Sequence, residues 1–166
     1  NDILKMMKQD GIVFHGRVGH NALHAEYAKS AIWAYPTDFQ EISCISAMKA
    51  QALGAIPVVT DFAALQETVK NGIKVDVDIS LEEGQEEYIT ALIGLLKDEE
   101  KQKDIRPNMM KWARGYFGWD NVAKLWDEKF RVGIQNPERR YESNSESETK
   151  IERSIGNSTG VQENNV

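Results

Sequence analysis

The sequence predicts an α/β fold in which a parallel sheet is followed by helices and then by a polar tail. Between residues 12 and 75, short runs of β-branched and aromatic residues alternate with stretches of helical periodicity. The pattern becomes fully helical between residues 82 and 130, and residues 131–166 contain a single aromatic side chain. Alternating strands and helices are typical of right-handed crossovers between parallel strands. The tail is too polar to offset the entropy of ordering, which predicts disorder.

Four strands are predicted from apolar runs bounded by Gly, Pro or polar residues. They cover residues 12–15, 31–35 and 56–60, and a fourth begins at residue 73. Pro57 in the third run fits either the first residues of a strand or a strand at a sheet edge.

Six helices are predicted, over residues 21–29, 43–53, 63–70, 82–96, 107–117 and 119–130. Asn21 is a suitable N-cap for the first helix, Gly54 follows the second, and Pro107 suits the first turn of the fifth. The spacing predicts an apolar stripe on three of these helices. In the second helix the stripe is Ile45, Met48 and Ala52, and in the fourth it is Ile89, Leu92, Ile93 and Leu96. In the last helix it is Trp119, Val122, Ala123, Trp126 and Phe130. The four tryptophans are expected to be core or packing residues and not base-stacking platforms.

Composition excludes several classes of function. The formal net charge of the 166 residues is −6, which argues against non-specific nucleic-acid binding. The single cysteine, Cys44, excludes an intramolecular disulfide and makes a reducing compartment the default, so a cytoplasmic location is expected. No apolar run reaches the roughly 18–20 residues of a membrane-spanning helix.

The segment after the second predicted strand is the candidate site, because parallel sheets bind ligands at the carboxyl ends of their strands. Backbone N–H groups of residues 43–45 would lie at a helix N-terminus and favour an anion such as a pyrophosphate. The Glu41 carboxylate would accept hydrogen bonds from sugar hydroxyls, and Lys49 would reach back towards the same cleft.

Simpler interpretations of these residues stay open. Glu41 is also a suitable capping residue and Lys49 an ordinary solvated lysine. Cys44 fits a small buried side chain better than a nucleophile, because no partner base is evident. The three histidines, His15, His20 and His24, offer no recognisable third metal ligand, so no metal site is predicted.

Several blocks of the sequence together resemble one enzyme family. Residues 13–18, 35–37 and 41–59 follow one another in a pattern that ends in Pro-Val-Val, and residues 67–72 read Glu-x-Val-x-x-Gly. This pattern is similar to the C-terminal, donor-binding domain of the retaining GT-B glycosyltransferases of group 1 (family 4), which carry a Glu-x7-Glu motif. The resemblance covers about residues 11–130 and implies a partial Rossmann-like sheet.

The resemblance implies a role for each matching position. Glu41 would be the catalytic-site residue that holds hydroxyls of the donor sugar. The backbone of Ile42, Ser43 and Cys44 would face the sugar and diphosphate, and Lys49 the nucleotide ribose. The base pocket would be lined by Gly16, Arg17 and Val18.

Two departures from the family pattern affect this inference. The second Glu of the motif is Lys49, and an ammonium donates where a carboxylate accepts, so ribose recognition must differ or Lys49 must contact phosphate. The glycines that commonly follow the first Glu are replaced by Ile42 and Cys44, which leaves less room for backbone to approach the sugar.

The resemblance also suggests a domain organisation. Residues 1–106 would form the partial donor-binding domain, residues 107–130 the packing helices and residues 131–166 the polar tail. We expect a fragment of a longer hexosyltransferase, inactive alone, whose missing N-terminal domain binds a glycan, lipid or protein acceptor. The donor would be a nucleotide diphosphate sugar, with no cofactor and no nucleic-acid partner. The main alternative is a non-catalytic nucleotide-binding or partner-docking module derived from such an enzyme, and an epimerase or phosphorylase ranks third.

Overall fold

The computed structural model of the protein describes residues 2–135, which contain a parallel three-stranded sheet. The strands are β1 (Ile32–Tyr35), β2 (Ile56–Thr60) and β3 (Ile73–Val75), in the spatial order β1-β2-β3. Ile32 pairs with Ile56 and Val58 pairs with Ile73. The predicted α/β class is therefore confirmed. Pro57 lies in the central strand, where it is tolerated because the pairing with β3 begins one residue later.

Seven helices accompany the sheet in the described residues. They are α1 (Asp2–Met6), α2 (His20–Lys29), α3 (Ile45–Leu53), α4 (Leu65–Thr68), α5 (Glu82–Lys97), α6 (Glu99–Phe117) and α7 (Trp119–Gln135). Gly54 ends α3 with φ = 100°, in the left-handed conformation that favours glycine at this position. The N-cap of α2 is Gly19 rather than the predicted Asn21.

The strand predicted at residues 12–15 is wrong. This segment carries no regular secondary structure, and Val13 and Phe14 are 74% and 70% exposed. An apolar run becomes a strand only where a neighbouring strand satisfies its backbone N–H and C=O groups. No strand of the described residues pairs with it, since β1 pairs with β2 and β2 with β3.

The buried faces of α3 and α5 also differ from the predicted stripes. Ala47, Ala50 and Gln51 are the buried residues of α3, whereas Ile45 is exposed. The buried residues of α5 include Tyr88 and Leu95. Ile89, Ile93 and Leu96 are 50%, 42% and 52% exposed, and Leu92 alone of the predicted stripe packs against the core. The small alanines allow α3 to approach its neighbours closely, so the buried face of this helix follows the size of its residues more than their hydrophobicity.

The fifth predicted helix is eight residues longer at its N-terminus than expected. α6 begins at Glu99, because Asp98 caps it by accepting a hydrogen bond of 3.0 Å from the Lys101 backbone N–H. Pro107 consequently lies inside the helix and not in its first turn. The expected domain boundary between residues 106 and 107 falls within α6.

The core lies on both faces of β2, because side chains alternate across a strand. On one face, Ile56 and Val58 pack with Tyr88, Leu95 and Met109 of α5 and α6. The other face carries a second cluster that includes Val59, Cys44, Ala47, Leu65 and Val69. The Tyr88 hydroxyl donates a hydrogen bond of 2.6 Å to the Val58 carbonyl, which fixes α5 to the central strand.

Two arginines of α6 hold the amino-terminal edge of the sheet. The Arg106 guanidinium donates to the carbonyls of Ala31 and Gly54, which precede β1 and β2. Arg114 Nε donates to the Ala52 carbonyl at 2.8 Å. A guanidinium presents several N–H donors in a rigid fork, so it can satisfy carbonyls that the helix α3 leaves unpaired at its end.

The helix α7 (Trp119–Gln135) belongs to a second unit, which begins at Trp119. The predicted apolar stripe lies along this helix, but Trp119 is 85% and Trp126 61% exposed, so these two tryptophans are not core residues, although Trp126 packs edge-on against Phe130. Residues 131–135 are helical, which corrects the start of the predicted tail, and residues 136–166 lie outside the described residues. No helix in residues 2–135 is long and apolar enough to cross a membrane.

Candidate functional site

The loops after β1 and β2 meet at the carboxyl edge of the sheet. The Thr60 hydroxyl donates to the Thr37 carbonyl at 2.6 Å and accepts from the Thr37 backbone N–H at 3.2 Å. Farther along, the Ala64 backbone N–H donates to the Glu41 carbonyl at 3.3 Å. These hydrogen bonds fix the loop that carries Glu41 against the loop that leads into α4.

A cavity of about 390 Å³ opens between these loops. It is lined by Gln40, Glu41, Ile42, Ala63, Ala64 and Glu67. Glu41 is half-buried, and its Oε1 atom is buried without a hydrogen-bond partner in the described residues. A buried carboxylate oxygen is costly to leave unpaired, so this atom is positioned to accept a hydrogen bond from a ligand.

Ala63 adopts a backbone conformation that is unusual for its residue type. Its φ of 46° lies in the left-handed region, which residues other than glycine seldom occupy. Ala63 is itself one of the residues that line the cavity, and it lies between Phe62 and Ala64 in the sequence. Strained backbone persists where the surrounding structure enforces it, and it is concentrated at ligand sites.

A second, smaller cavity of about 120 Å³ adjoins the first, with Ile42, Ala64 and Glu67 in both linings. The second lining also contains Ser43, Met48, Thr68, Tyr116 and Phe117. The last two residues are the end of α6, so this helix reaches the same region as the loops after β1 and β2. The two cavities together offer two carboxylates, a hydroxyl-bearing region and an aromatic wall.

A buried glutamine holds α4, and with it Glu67, in place. The Gln51 side chain is fully buried and donates to the Thr68 carbonyl at 2.8 Å and to the Ala47 carbonyl at 3.1 Å. Its Oε1 atom accepts from the Lys70 backbone N–H at 3.4 Å. Every polar atom of this amide thus helps to join α3 to α4.

Cys44 lies behind the cavity lining and is 3% exposed. Burial raises the pKa of its thiol to about 11, and the neighbouring Glu41 carboxylate acts in the same direction. The backbone N–H groups of Ala47 and Ser46 oppose this shift but do not outweigh it. A thiol with a raised pKa is a poor nucleophile, which favours the structural interpretation of Cys44.

The structure brings together some of the predicted site residues and separates others. Ile42 and Ser43 line the cavities beside Glu41. The helix begins at Ile45, so its first N–H groups belong to residues 45–47 and not to residues 43–45 as predicted. Lys49 is half-buried on α3 and lines neither cavity. The remaining three residues are absent from both linings and stand exposed in the segment before α2: Gly16, Arg17 and Val18.

Four residues of the larger lining were not predicted, and neither were Met48, Thr68, Tyr116 and Phe117 of the smaller one. Gln40 precedes Glu41, and Ala63, Ala64 and Glu67 come from the segment after β2. The available signal was the strand order, because the loops after adjacent parallel strands lie at one edge of the sheet.

The three histidines bind no common partner: His15 Nε2 lies 4.0 Å from Glu26, and the rings of His20 and His24 are 6.1 Å apart. No three acidic, histidine or cysteine side chains converge as metal ligands within residues 2–135.

A parallel α/β sheet with a partly buried acidic cleft at its carboxyl edge defines a class of ligand-binding α/β proteins. Within this class, residues 1–112 match the family model for glycosyl transferases group 1, and the chain belongs to that family. No curated protein and no solved structure matches the chain. The matched region includes the sheet and all of the larger cavity, but it ends before Tyr116 and Phe117. Membership of the family supports a transferase that moves a sugar from a donor to an acceptor.

Proposed function

We propose that this chain binds a nucleotide diphosphate sugar and presents its sugar for transfer with retention of the anomeric configuration. The observation that carries the proposal is the buried, unpaired Glu41 Oε1 in the lining of the larger cavity. In the resembling family, the first Glu of the Glu-x7-Glu motif holds donor-sugar hydroxyls, and Glu41 occupies that position. The nucleotide sugar is a substrate in this scheme and no resident cofactor is invoked.

Glu41 would act by orienting the sugar. Its carboxylate accepts hydrogen bonds from hydroxyl groups, and a charge-assisted hydrogen bond in a partly buried site is stronger than a neutral one. Holding the sugar in one orientation lowers the barrier to transfer, because the reacting carbon is already placed against its acceptor. The N-terminal end of α3, which begins at Ile45, supplies positive electrostatic potential for the departing diphosphate.

Lys49 would have a different task from the carboxylate that the motif usually has there. It lies in the second turn of α3, four residues after the first helical residue. An ammonium is a hydrogen-bond donor, so it suits a phosphate oxygen better than a pair of ribose hydroxyls. We therefore assign Lys49 to the diphosphate and not to the ribose.

Titration calorimetry with this chain tests the proposal. UDP-glucose and GDP-mannose are each compared with UDP and GDP, and at least one nucleotide sugar is expected to bind more tightly than its diphosphate. Glu41→Gln should weaken that sugar-dependent binding by about tenfold or more and leave the diphosphate unchanged. The control is Glu87→Gln, since Glu87 is an exposed residue of α5 that lines neither cavity. If no nucleotide sugar binds better than its diphosphate, the proposal is wrong.

The alternative of a non-catalytic binding module is favoured by one observation, the lysine at position 49 in place of the second Glu. The two functions differ in product formation. In this alternative, a nucleotide sugar would bind, but no sugar would reach an acceptor even when this chain is supplied within a two-domain transferase. In the proposed function, Glu41→Gln would lower turnover in that two-domain protein at least about tenfold.

A further inference from the structure

The charged side chains that line the two adjoining cavities are all acidic. Their linings contain the carboxylates of Glu41 and Glu67, and they include no lysine, arginine or histidine. The nearest basic residue along β3, Lys74, is already engaged: its ammonium lies 3.5 Å from Asp61 and donates to the Gln66 carbonyl at 3.1 Å. A ligand in this space therefore meets negative charge at Glu41 and Glu67 and no positively charged side chain of the lining.

Glu67 contributes to both cavities, unlike Glu41, which lines the larger one alone. It lies on α4, a helix of four residues that is held from behind by the buried Gln51 amide. Its own side chain is exposed and makes no hydrogen bond or ion pair in the described residues. The backbone that carries the second carboxylate is therefore held at the junction of the cavities, and the carboxylate itself is available to a ligand.

The end of α6 supplies an aromatic wall on the far side of the smaller cavity. The rings of Trp112 and Tyr116 stack at 5.2 Å, and Phe117 packs edge-on against both, at 5.2 Å and 5.1 Å. Of these, Tyr116 and Phe117 line the smaller cavity. Aromatic faces attract the C–H groups of a sugar ring, whose hydroxyl groups then point towards the carboxylates.

We infer that Glu67 makes the donor site selective for an uncharged sugar and rejects sugars that carry a carboxylate. This inference rests on the proposed function, because it concerns the sugar of the nucleotide donor. A hexose ring between the aromatic wall and Glu67 donates its hydroxyls to acceptors. The 6-carboxylate of a uronic acid in the same place faces the Glu67 carboxylate, with Glu41 in the adjoining cavity and no basic side chain in either lining, and like charges repel each other.

Competition calorimetry with matched pairs of nucleotide sugars tests the inference. The probes are UDP-glucose against UDP-glucuronic acid and GDP-mannose against GDP-mannuronic acid, each titrated into the 166-residue chain. For the nucleotide that binds, the neutral sugar should bind at least about tenfold more tightly than the uronic acid. Glu67→Gln should reduce this ratio to about threefold or less, and Glu67→Lys should reverse the preference. Glu87→Gln, with the same change of charge on α5, should leave the ratio unchanged.

Tyr116→Ala separates the aromatic wall from the charge effect. It should weaken both members of a pair by a similar factor, because the wall contacts the ring and not the substituent that differs. Equal binding of neutral and acidic sugars by the wild type, or a ratio that Glu67→Gln does not change, overturns the inference and leaves the donor-binding proposal intact. Failure of every nucleotide sugar to bind more tightly than its diphosphate overturns both.

Discussion

Replacing Tyr88 with phenylalanine isolates one hydrogen bond in the core. Tyr88 is 3% exposed, and its hydroxyl donates to the Val58 carbonyl in the central strand at 2.6 Å. The substitution keeps the ring and opens no cavity of significant size. It removes a donor from a buried carbonyl, which costs about 1–2 kcal/mol of unfolding free energy at neutral pH.

The same residue makes stability depend on pH in the alkaline range. Burial raises the pKa of the Tyr88 phenol to about 12, and the Tyr35 backbone N–H opposes this shift only in part. In the unfolded chain the phenol ionises near pH 10, so above that pH the unfolded state loses a proton that the folded state keeps. The free energy of unfolding is therefore unaffected by the titration of this group below about pH 10. It falls as the pH rises towards 12, by roughly 1.4 kcal/mol at pH 11.

Urea denaturation followed by tryptophan fluorescence at pH 8 and at pH 11 measures both effects. The wild type should exceed Tyr88→Phe by about 1–2 kcal/mol at pH 8, and the difference should shrink by roughly 1.4 kcal/mol at pH 11. The raised pKa of the Cys44 thiol also lowers stability above about pH 9, but it does so equally in both proteins and cancels.

Tyr27→Phe provides the matched control, because the Tyr27 hydroxyl makes no hydrogen bond in the described residues and the side chain is half-buried. Its unfolding free energy should remain within about 0.5 kcal/mol of the wild type. A difference between the wild type and Tyr88→Phe that is the same at both pH values would refute the assignment of the raised pKa to Tyr88. Equal stability at pH 8 would show that the hydrogen bond contributes nothing.

Three further substitutions or reagents test other parts of the fold. Gln51→Leu leaves the Thr68 carbonyl and the Lys70 N–H without their partner, so chemical denaturation should show a loss of about 2–4 kcal/mol; a smaller loss than 1 kcal/mol would contradict this. Gly84→Ala would place a Cβ in steric overlap with the Asp78 carbonyl oxygen, a backbone atom that cannot rotate away. A clear fall in the thermal unfolding midpoint is therefore expected. Gly94→Ala is the control, because the space around Gly94 is open. Cys44 should react with iodoacetamide at pH 8 about 100-fold more slowly in the folded protein than in urea, because its thiol is buried and has a raised pKa. Similar rates in the two states would show that the folded thiol is accessible and ionised.

The sequence predicted the elements whose signals are local. β1 and β2 are apolar runs bounded by proline or glycine, and their observed bounds differ from the predicted ones by at most one residue. Asp98 was overlooked as a cap, which is why α6 was predicted to begin at Pro107. Proline is most common in a first turn, but a helix tolerates it farther in when tertiary contacts such as those of Arg106 hold the preceding turns.

Features that depend on distant partners were predicted less well. The run at residues 12–15 has the composition of a strand, but composition does not supply the neighbour that a strand needs. The outward-facing isoleucines of α5 and the exposed tryptophans of α7 follow a helical period correctly, and yet period alone does not say which face is covered. At the candidate site, Glu41 was identified from its position after a strand. Glu67 was quoted as a motif residue but not as a lining residue, because only the fold brings α4 to Glu41.

The position of Arg106 on α6 has a consequence for how this protein can change over evolutionary time. Arg106 binds the carbonyls of Ala31 and Gly54 before β1 and β2, whereas the larger acidic cavity lies after those strands. Strands of four and five residues separate the two regions by roughly 13–17 Å. Effects of substitutions at such separations are approximately additive. Residues that line the larger cavity can therefore be exchanged in a lineage while Arg106 continues to hold the opposite edge of the sheet.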